Sequence, residues 1–319
     1  MARADDALME IMTGLLTAYC ALGVFGFVCN LLNIPLLAIL LASKKLRREA
    51  KLIICLTIGD LINCLALSMM GFDRYTLFIH SLQLQAVPLQ TSLSCASGLY
   101  IWLRIIGNVW PPVIQLIMGT ERVIACMRPI AYIKYVRDRT LFLCAISVFA
   151  VLLFCAVGIA LAIMNSGNGY VKFDCGRKAT FSLFYAQSIY YWEMLGYFFG
   201  LLMNVAAYLQ AKSIIKTPTV REQMKRIRYG LALGVLSTVL VSVPNVKSLF
   251  LDQLRFAGMG EWISQTFNWA SIINSSFNFF VYLWLYRDFR DEFARIFRLR
   301  CIAQRQPVTT VEPMKFTVC

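Results

Sequence analysis

The chain has 319 residues, 59% of them hydrophobic and only 15% charged, with mean hydropathy +0.65. A water-soluble domain averages about 45–50% apolar and about 25% charged residues, so this composition excludes an ordinary soluble enzyme or binding module. The net charge of +14 raises nucleic acid as a partner, and the placement of that charge along the chain decides the matter.

Residues 1–10 hold Asp5, Asp6 and Glu10 against Arg3. The apolar run behind them is too long for the core of a cleaved leader, so an external N-terminus is expected there. A membrane-spanning helix needs roughly 20 predominantly apolar residues. Runs of that kind lie near 11–42, 52–72, 95–126, 140–164, 183–211, 229–251 and 262–286. The expected fold is an all-α membrane protein, with a seven-helix transmembrane bundle over 11–286. A short amphipathic eighth helix and a tail follow over 287–319. Backbone groups in lipid must be satisfied within each segment, which favours closed helices.

The segments 43–51, 127–139, 212–228 and 287–319 hold 22 of the lysines and arginines, whereas the alternate segments hold 6. Positive loops stay cytoplasmic, so the N-terminus is expected outside and the C-terminus inside. The basic charge then faces the inner leaflet rather than a nucleic acid. Arg104, Arg122 and Lys247 fall inside the runs. Ionisable residues at such depth are costly and tend to mark function.

On this topology Cys95 and Cys175 share the outer, oxidising side, where a disulfide persists; two free thiols are the alternative. Most other cysteines lie in apolar runs and read as small buried hydrophobes. Cys301 follows a basic amphipathic stretch and is a candidate for palmitoylation. The single histidine, His80, reads as a loop residue and supplies neither a zinc site nor a catalytic base. Asn274-Ser275-Ser276 matches a glycosylation acceptor but falls within the seventh run, out of reach of glycosylation.

The stretch Glu121–Tyr132, E-R-V-I-A-C-M-R-P-I-A-Y, ends the third run. With the seven runs and the outside N-terminus, it resembles the rhodopsin-like (class A) G-protein-coupled receptors. In that family an acid–Arg pair is followed by Ala, Pro and Tyr at the spacing of Ala125, Pro129 and Tyr132 here. Asn30, Asp60, Pro244 and the series Asn274, Asn278, Tyr282 resemble landmarks of the first, second, sixth and seventh helices. Tyr208 resembles a fifth-helix tyrosine that helps hold the active state, and Phe289 falls where the eighth helix begins. The family pattern also pairs Cys95 with Cys175. Departures are as informative. Phe279 replaces the seventh-helix proline, Ser242 a tryptophan and Gly200 a proline. Pro111-Pro112 interrupts the third run, and the fourth has no tryptophan. These features resemble a nematode serpentine chemoreceptor more than an amine receptor or an opsin, and the seventh run has no lysine to carry retinal.

The resemblance implies a plasma-membrane receptor that binds an extracellular ligand and activates a heterotrimeric G protein. It implies that Glu121 holds Arg122 at rest and releases it to the G protein on activation. The acid usual at the base of the sixth helix is replaced by Met224, so weaker restraint and higher basal activity are expected. It implies a sodium ion at Asp60, Asn274 and Asn278. Pro111 replaces the family's serine, so a hydrogen-bonded network without sodium is the other reading.

Spacing alone adds two points. Asn274, Asn278 and Tyr282 recur every fourth residue and form one polar stripe. Arg104 precedes Arg122 by eighteen residues, five helical turns or about 27 Å, so both face one side of the third helix. Arg104 and Glu193 are then candidate ligand contacts, with Lys247, Asn245 and Asn268 beside them. A guanidinium there favours a carboxylate, phosphate or peptide C-terminus. The bland alternative is an Arg104–Glu193 bridge that only packs helices. A transporter would show repeated halves, and none is evident; a ligand-binding protein that does not signal remains compatible with the sequence.

Overall fold

The computed structural model describes residues 2–3, 6–167, 169–213, 218–246 and 259–297. Lys247 and Cys301 lie outside them. The long elements are α1 (Asp6–Ala42), α2 (Lys51–Leu84), α3 (Leu99–Met127) and α4 (Thr140–Met164). They continue with α5 (Leu183–Ser213), α6 (Pro218–Ser237), α7 (Met259–Leu285) and the short α8 (Arg287–Ile296). Among the described residues, α1 to α6 include 6 spans long and apolar enough to cross a membrane. α7 is also long, but its asparagines and serines, Asn274, Ser275 and Asn278 among them, are buried and lower its hydropathy.

The surface chemistry agrees with lipid as solvent. The most apolar stretch of α4 has mean hydropathy 2.9 and only 22% of its residues buried. Phe142, Phe149 and Leu152 point outward from it. Such a patch in water would drive association, whereas in hydrocarbon it needs no cover.

α3 is the central post and packs against α2, α4, α5 and α6. Pro111 and Pro112 sit inside it without ending the helix, although each removes a donor and crowds the preceding turn. Glycines on the neighbours make room for the rings. A Cβ at Gly59 of α2 would lie 3.1 Å from Pro111 Cγ, and one at Gly196 of α5 would lie 2.7 Å from Pro112 Cβ.

Buried side chains form two main clusters along the bundle. Met12, Tyr19, Phe78, Ile105 and Tyr185 belong to the half nearer the disulfide. Leu36, Leu56, Ile114, Tyr229 and Tyr282 belong to the half nearer Arg122. Phe289 of α8 is fully buried and packs on Tyr282 and Phe279.

Several helix boundaries differ from the sequence expectation: α6 begins at Pro218 rather than near residue 229, and α3 at Leu99 rather than near 95. α1 begins at Asp6 rather than near residue 11. α2 runs to Leu84 rather than ending near residue 72, so Arg74 and His80 are helical. The cause is that Arg74 is buried yet answered. It donates to the Tyr19 hydroxyl at 2.6 Å and to the Asp174 carbonyl at 3.2 Å, with the Asp174 carboxylate at 3.7 Å. A guanidinium so paired does not have to end the helix. α2 stops instead at Gln85, whose φ of 50° is the left-handed conformation of a helix C-terminus.

At the same end, Thr91 and Ser94 cap each other reciprocally and start the short helix Ser92–Ala96, which presents Cys95. Cys95 forms a disulfide with Cys175. Two small antiparallel pairs close this end, β1 (Ala2–Arg3) with β2 (Ala86–Val87) and β3 (Gln90–Thr91) with β4 (Tyr170–Val171). The connection between α4 and α5 is thus fastened to α2 by Arg74–Asp174 and to the start of α3 by the disulfide.

Candidate functional site

At the disulfide end, α3, α5, α6 and α7 bring Arg104, Glu193, Asn245 and Asn268 together. Arg104 is partly covered. It donates to the Asn268 side-chain oxygen and lies against the Met70 sulfur. Glu193 is buried and accepts from the Asn245 amide at 2.6 Å. In place of the Arg104–Glu193 bridge that was the alternative to ligand contact, each charge meets an amide. Lys247 falls outside the described residues.

Glu193 instead faces Arg177, which follows the disulfide in the α4–α5 connection. Arg177 Nη1 stands 3.9 Å from Glu193 Oε1, and its guanidinium lies over the Tyr190 ring at 4.9 Å from the centroid. Arg104, Arg177 and Glu193 are close enough for all three charges to interact. Several buried polar atoms here have no hydrogen-bond partner: Arg104 Nε, Arg177 Nη1, Glu193 Oε1 and Asn268 Nδ2, with both side-chain heteroatoms of Gln265, which shares a face of α7 with Asn268. Buried polar groups are ordinarily satisfied, so such a concentration calls for a cause.

Midway along the bundle, Asn278 donates to Asp60. Asn63 donates to Ser271 at 2.9 Å and Ser275 at 3.0 Å. Asn274 is buried on the same stripe, but the amide that reaches Asp60 belongs to Asn278. Asn30 does not join this network and donates to the Gly26 carbonyl of its own helix at 3.2 Å. These residues do not fit a resident sodium ion. α3 offers the Pro111 ring where an oxygen is needed, and Asn278 turns N–H toward Asp60. A cation of this kind requires a cage of oxygens, so the hydrogen-bonded network fits better.

At the other end, Arg122 is buried although its neighbour Glu121 is not its partner. Its guanidinium donates to the Asn204 side-chain oxygen of α5 at 2.5 Å and lies over the Tyr229 ring of α6 at 4.9 Å from the centroid. Glu121 accepts from the Tyr132 hydroxyl at 3.0 Å. The anticipated Glu121–Arg122 contact is therefore replaced: the acid orients the segment beginning at Pro129, and the arginine is held by α5 and α6. The cause is steric as well as polar, because Gly230 leaves the space that the guanidinium fills; a Cβ there would collide with it. Met224 is buried against Ala207, Ala211 and Ile227, with Tyr208 packed alongside. Tyr282 is fully buried and packs on Tyr229 at 5.8 Å between ring centroids.

The sixth span departs from regular α-helix between these two sites. The turn Thr238–Ser242 is a π-helix, and Pro244 follows within the same span. Such turns often occur at functional positions. Ser242, where a tryptophan was expected by resemblance, reaches the Met194 carbonyl at 3.4 Å.

Sequence reading singled out Arg104, Glu193, Asn245, Asn268 and Arg122. It passed over Arg74, Asp174, Arg177, Asn204 and Tyr229. The first three sat in stretches read as exposed loop, and the last two carry no charge that hydropathy would flag.

The model of the family described as Serpentine type 7TM GPCR chemoreceptor Srsx matches residues 20–297. No curated protein matches the chain. The match spans both sites and the helices from within α1 onward, and the family is one of receptors rather than enzymes. The chain is a member of the serpentine 7TM GPCR chemoreceptor family Srsx.

Proposed function

We propose that this receptor sits in the plasma membrane with its N-terminus outside. There it binds a small anionic ligand at the disulfide end and promotes nucleotide exchange on a heterotrimeric G protein at the Arg122 end. The observation that carries this reading is that one helix, α3, bears both arginines. Arg104 lies among unpaired buried polar atoms, and Arg122 is clasped by α5 and α6. A ligand acts only through its different affinity for two states of the protein. Contacts at Arg104, Glu193, Asn245 and Asn268 touch α3, α5, α6 and α7, and so bias how those helices pack. When α6 moves outward, Tyr229 leaves the Arg122 guanidinium, which then becomes available to the G protein.

In this reading Asn204 and Tyr229 take over the resting restraint that an acid near Met224 would give. Glu121, Pro129 and Tyr132 shape the surface beside it, and Tyr208, Tyr282 and Asp60 with Asn278 transmit the rearrangement. The disulfide and the Arg74–Asp174 pair hold the α4–α5 connection over the ligand. Cys301 is a proposed lipid attachment that would tether the tail.

The test is ligand-dependent nucleotide exchange with candidate G proteins, comparing wild type with Arg122→Ala at equal surface expression. Exchange should fall to the background level in the variant. Undiminished exchange would remove Arg122 from the mechanism, binding with no exchange in the wild type would indicate a non-signalling binder, and solute flux in place of exchange would indicate a transporter.

A further inference from the structure

Arg177 has no role in the resemblance, yet it is a buried cation beside Arg104. Its side chain is only 7% exposed, and its Nη1 has no hydrogen-bond partner. It is held from three directions. The disulfide fixes Cys175 two residues before it, the Tyr190 ring lies under its guanidinium, and the following turn is tied down where Ser92 donates to the Thr180 carbonyl. A side chain so fixed cannot swing out to water. Its free N–H edge stays with the cluster that contains Glu193 and Arg104.

The charges around it are countable among the described residues. Asp174 is engaged by Arg74 at 3.7 Å and by Lys172 at 3.3 Å. Glu193 alone remains to answer both Arg104 and Arg177, and its distance of 3.9 Å from Arg177 exceeds a hydrogen bond. Among the described residues, two guanidinium groups against one carboxylate leave an excess of one positive charge. An excess charge enclosed this way is costly until an anion meets it.

We propose that Arg177 and Arg104 form a two-armed clamp for the acidic group of the ligand, and that Glu193 is a fixed counter-charge limiting that group to a single negative charge. This deepens the anionic-ligand reading of Arg104 and rests on it. The ligand class is a small organic molecule with one carboxylate, sulfonate or sulfate ester. A flat or tripodal oxyanion meets a guanidinium through two parallel hydrogen bonds, which neither a lysine nor an amide reproduces. A phosphate monoester carries about two negative charges above neutral pH and would leave one uncompensated.

The test uses the full chain, purified in detergent, with thermal unfolding as the readout. Benzoate and benzenesulfonate serve as singly charged probes, phenyl phosphate at pH 8 as the doubly charged one and benzylamine as the cation. Sodium chloride holds the ionic strength equal. Benzoate and benzenesulfonate should raise the unfolding temperature of the wild type, and benzylamine should not. Arg177→Gln should raise the half-saturating benzoate concentration about tenfold or more, as for loss of a charge-assisted hydrogen bond. Glu193→Gln should shift the preference toward phenyl phosphate.

Should Arg177→Gln fail to fold, Arg177→Lys keeps the charge without the fork; it should unfold at the wild-type temperature in the absence of probe yet bind benzoate more weakly. If Arg177→Gln or Arg177→Lys binds benzoate as the wild type does while Arg104→Gln does not, the clamp is overturned and the anionic reading of Arg104 survives. If no anion shifts the wild type at any concentration up to its solubility, both fail. An unchanged charge preference in Glu193→Gln overturns the role given to that carboxylate.

Discussion

Arg122 shows how a single absent side chain sets where a buried cation is held. A guanidinium buried in an apolar bundle needs partners, and here the Asn204 side-chain oxygen, which accepts one hydrogen bond from it, and the face of Tyr229 supply them. A cation over an aromatic ring is worth about 0.5–2 kcal/mol depending on desolvation. A hydrogen bond to a charged group is worth about 1.5–3 kcal/mol. Both depend on Gly230, since a Cβ there would occupy the space of the guanidinium. Gly230→Ala should therefore dislodge Arg122 from Asn204 and Tyr229 and raise ligand-independent nucleotide exchange severalfold. The measurement is basal exchange normalised to surface expression; a variant no more active than wild type would show that Arg122 is not held by this clasp. This arrangement was only partly legible. The acid–Arg pair announced that Arg122 mattered, and its neighbour Glu121 looked like the natural partner. The actual partners lie 82 residues away on α5 and on α6, and neither is charged. Pair spacing along one helix does not reveal contacts made across the bundle.

Among the elements, α3 bears the clearest local conflict. Two adjacent prolines oppose a helix interior, yet the helix is continuous over Leu99–Met127 because neighbouring backbones stand close where glycines permit. The sequence displayed the prolines but gave no sign that Gly59 and Gly196 would receive them, since the pairing is set by tertiary register. Gly196→Val should separate α3 from α5 at this point, because even a Cβ would sit 2.7 Å from Pro112. Overpacking of this kind costs about 1–3 kcal/mol. Lower surface expression and a lower unfolding temperature are the expected result, read against a Gly167→Val control at a position with open space around it. Equal stability of the two variants would mean that the contact is not tight. α2 illustrates the opposite failure of legibility. Hydropathy stopped it at Asp73-Arg74, and only the fold reveals that Tyr19 and Asp174 neutralise Arg74 within the helix. Its continuation is what anchors the α4–α5 connection and hence Arg177.

On the scale of the whole molecule, hydropathy alone predicted the bundle well because lipid imposes one demand on every span: apolar surface outside and closed hydrogen bonding within. α4 obeys it most plainly. The proposed ligand site was less legible, because burial of its charged groups depends on a connection that hydropathy treats as loop. The proposed direction of the bundle across the membrane rests on charge. The end bearing Arg122 adjoins segments holding 22 lysines and arginines, and the disulfide end adjoins segments holding 6. Basic segments are retained on the cytoplasmic side during insertion. A disulfide between Cys95 and Cys175 persists in an oxidising compartment, and so supports the proposed outside placement of its end independently of charge. In the proposed orientation Arg104 and Arg177 would be within reach of external ligands and Arg122 within reach of a G protein. An epitope tag ahead of Met1 should be stained by antibody on intact cells, and a tag after Cys319 only after permeabilisation. Because the disulfide and the charge count are independent, weakening the charge bias by adding lysines to residues 165–169 should reduce correctly oriented receptor, with the Cys95–Cys175 bond lost in the inverted fraction. Inverted staining in the unmodified chain would reverse the assignment of the two sites.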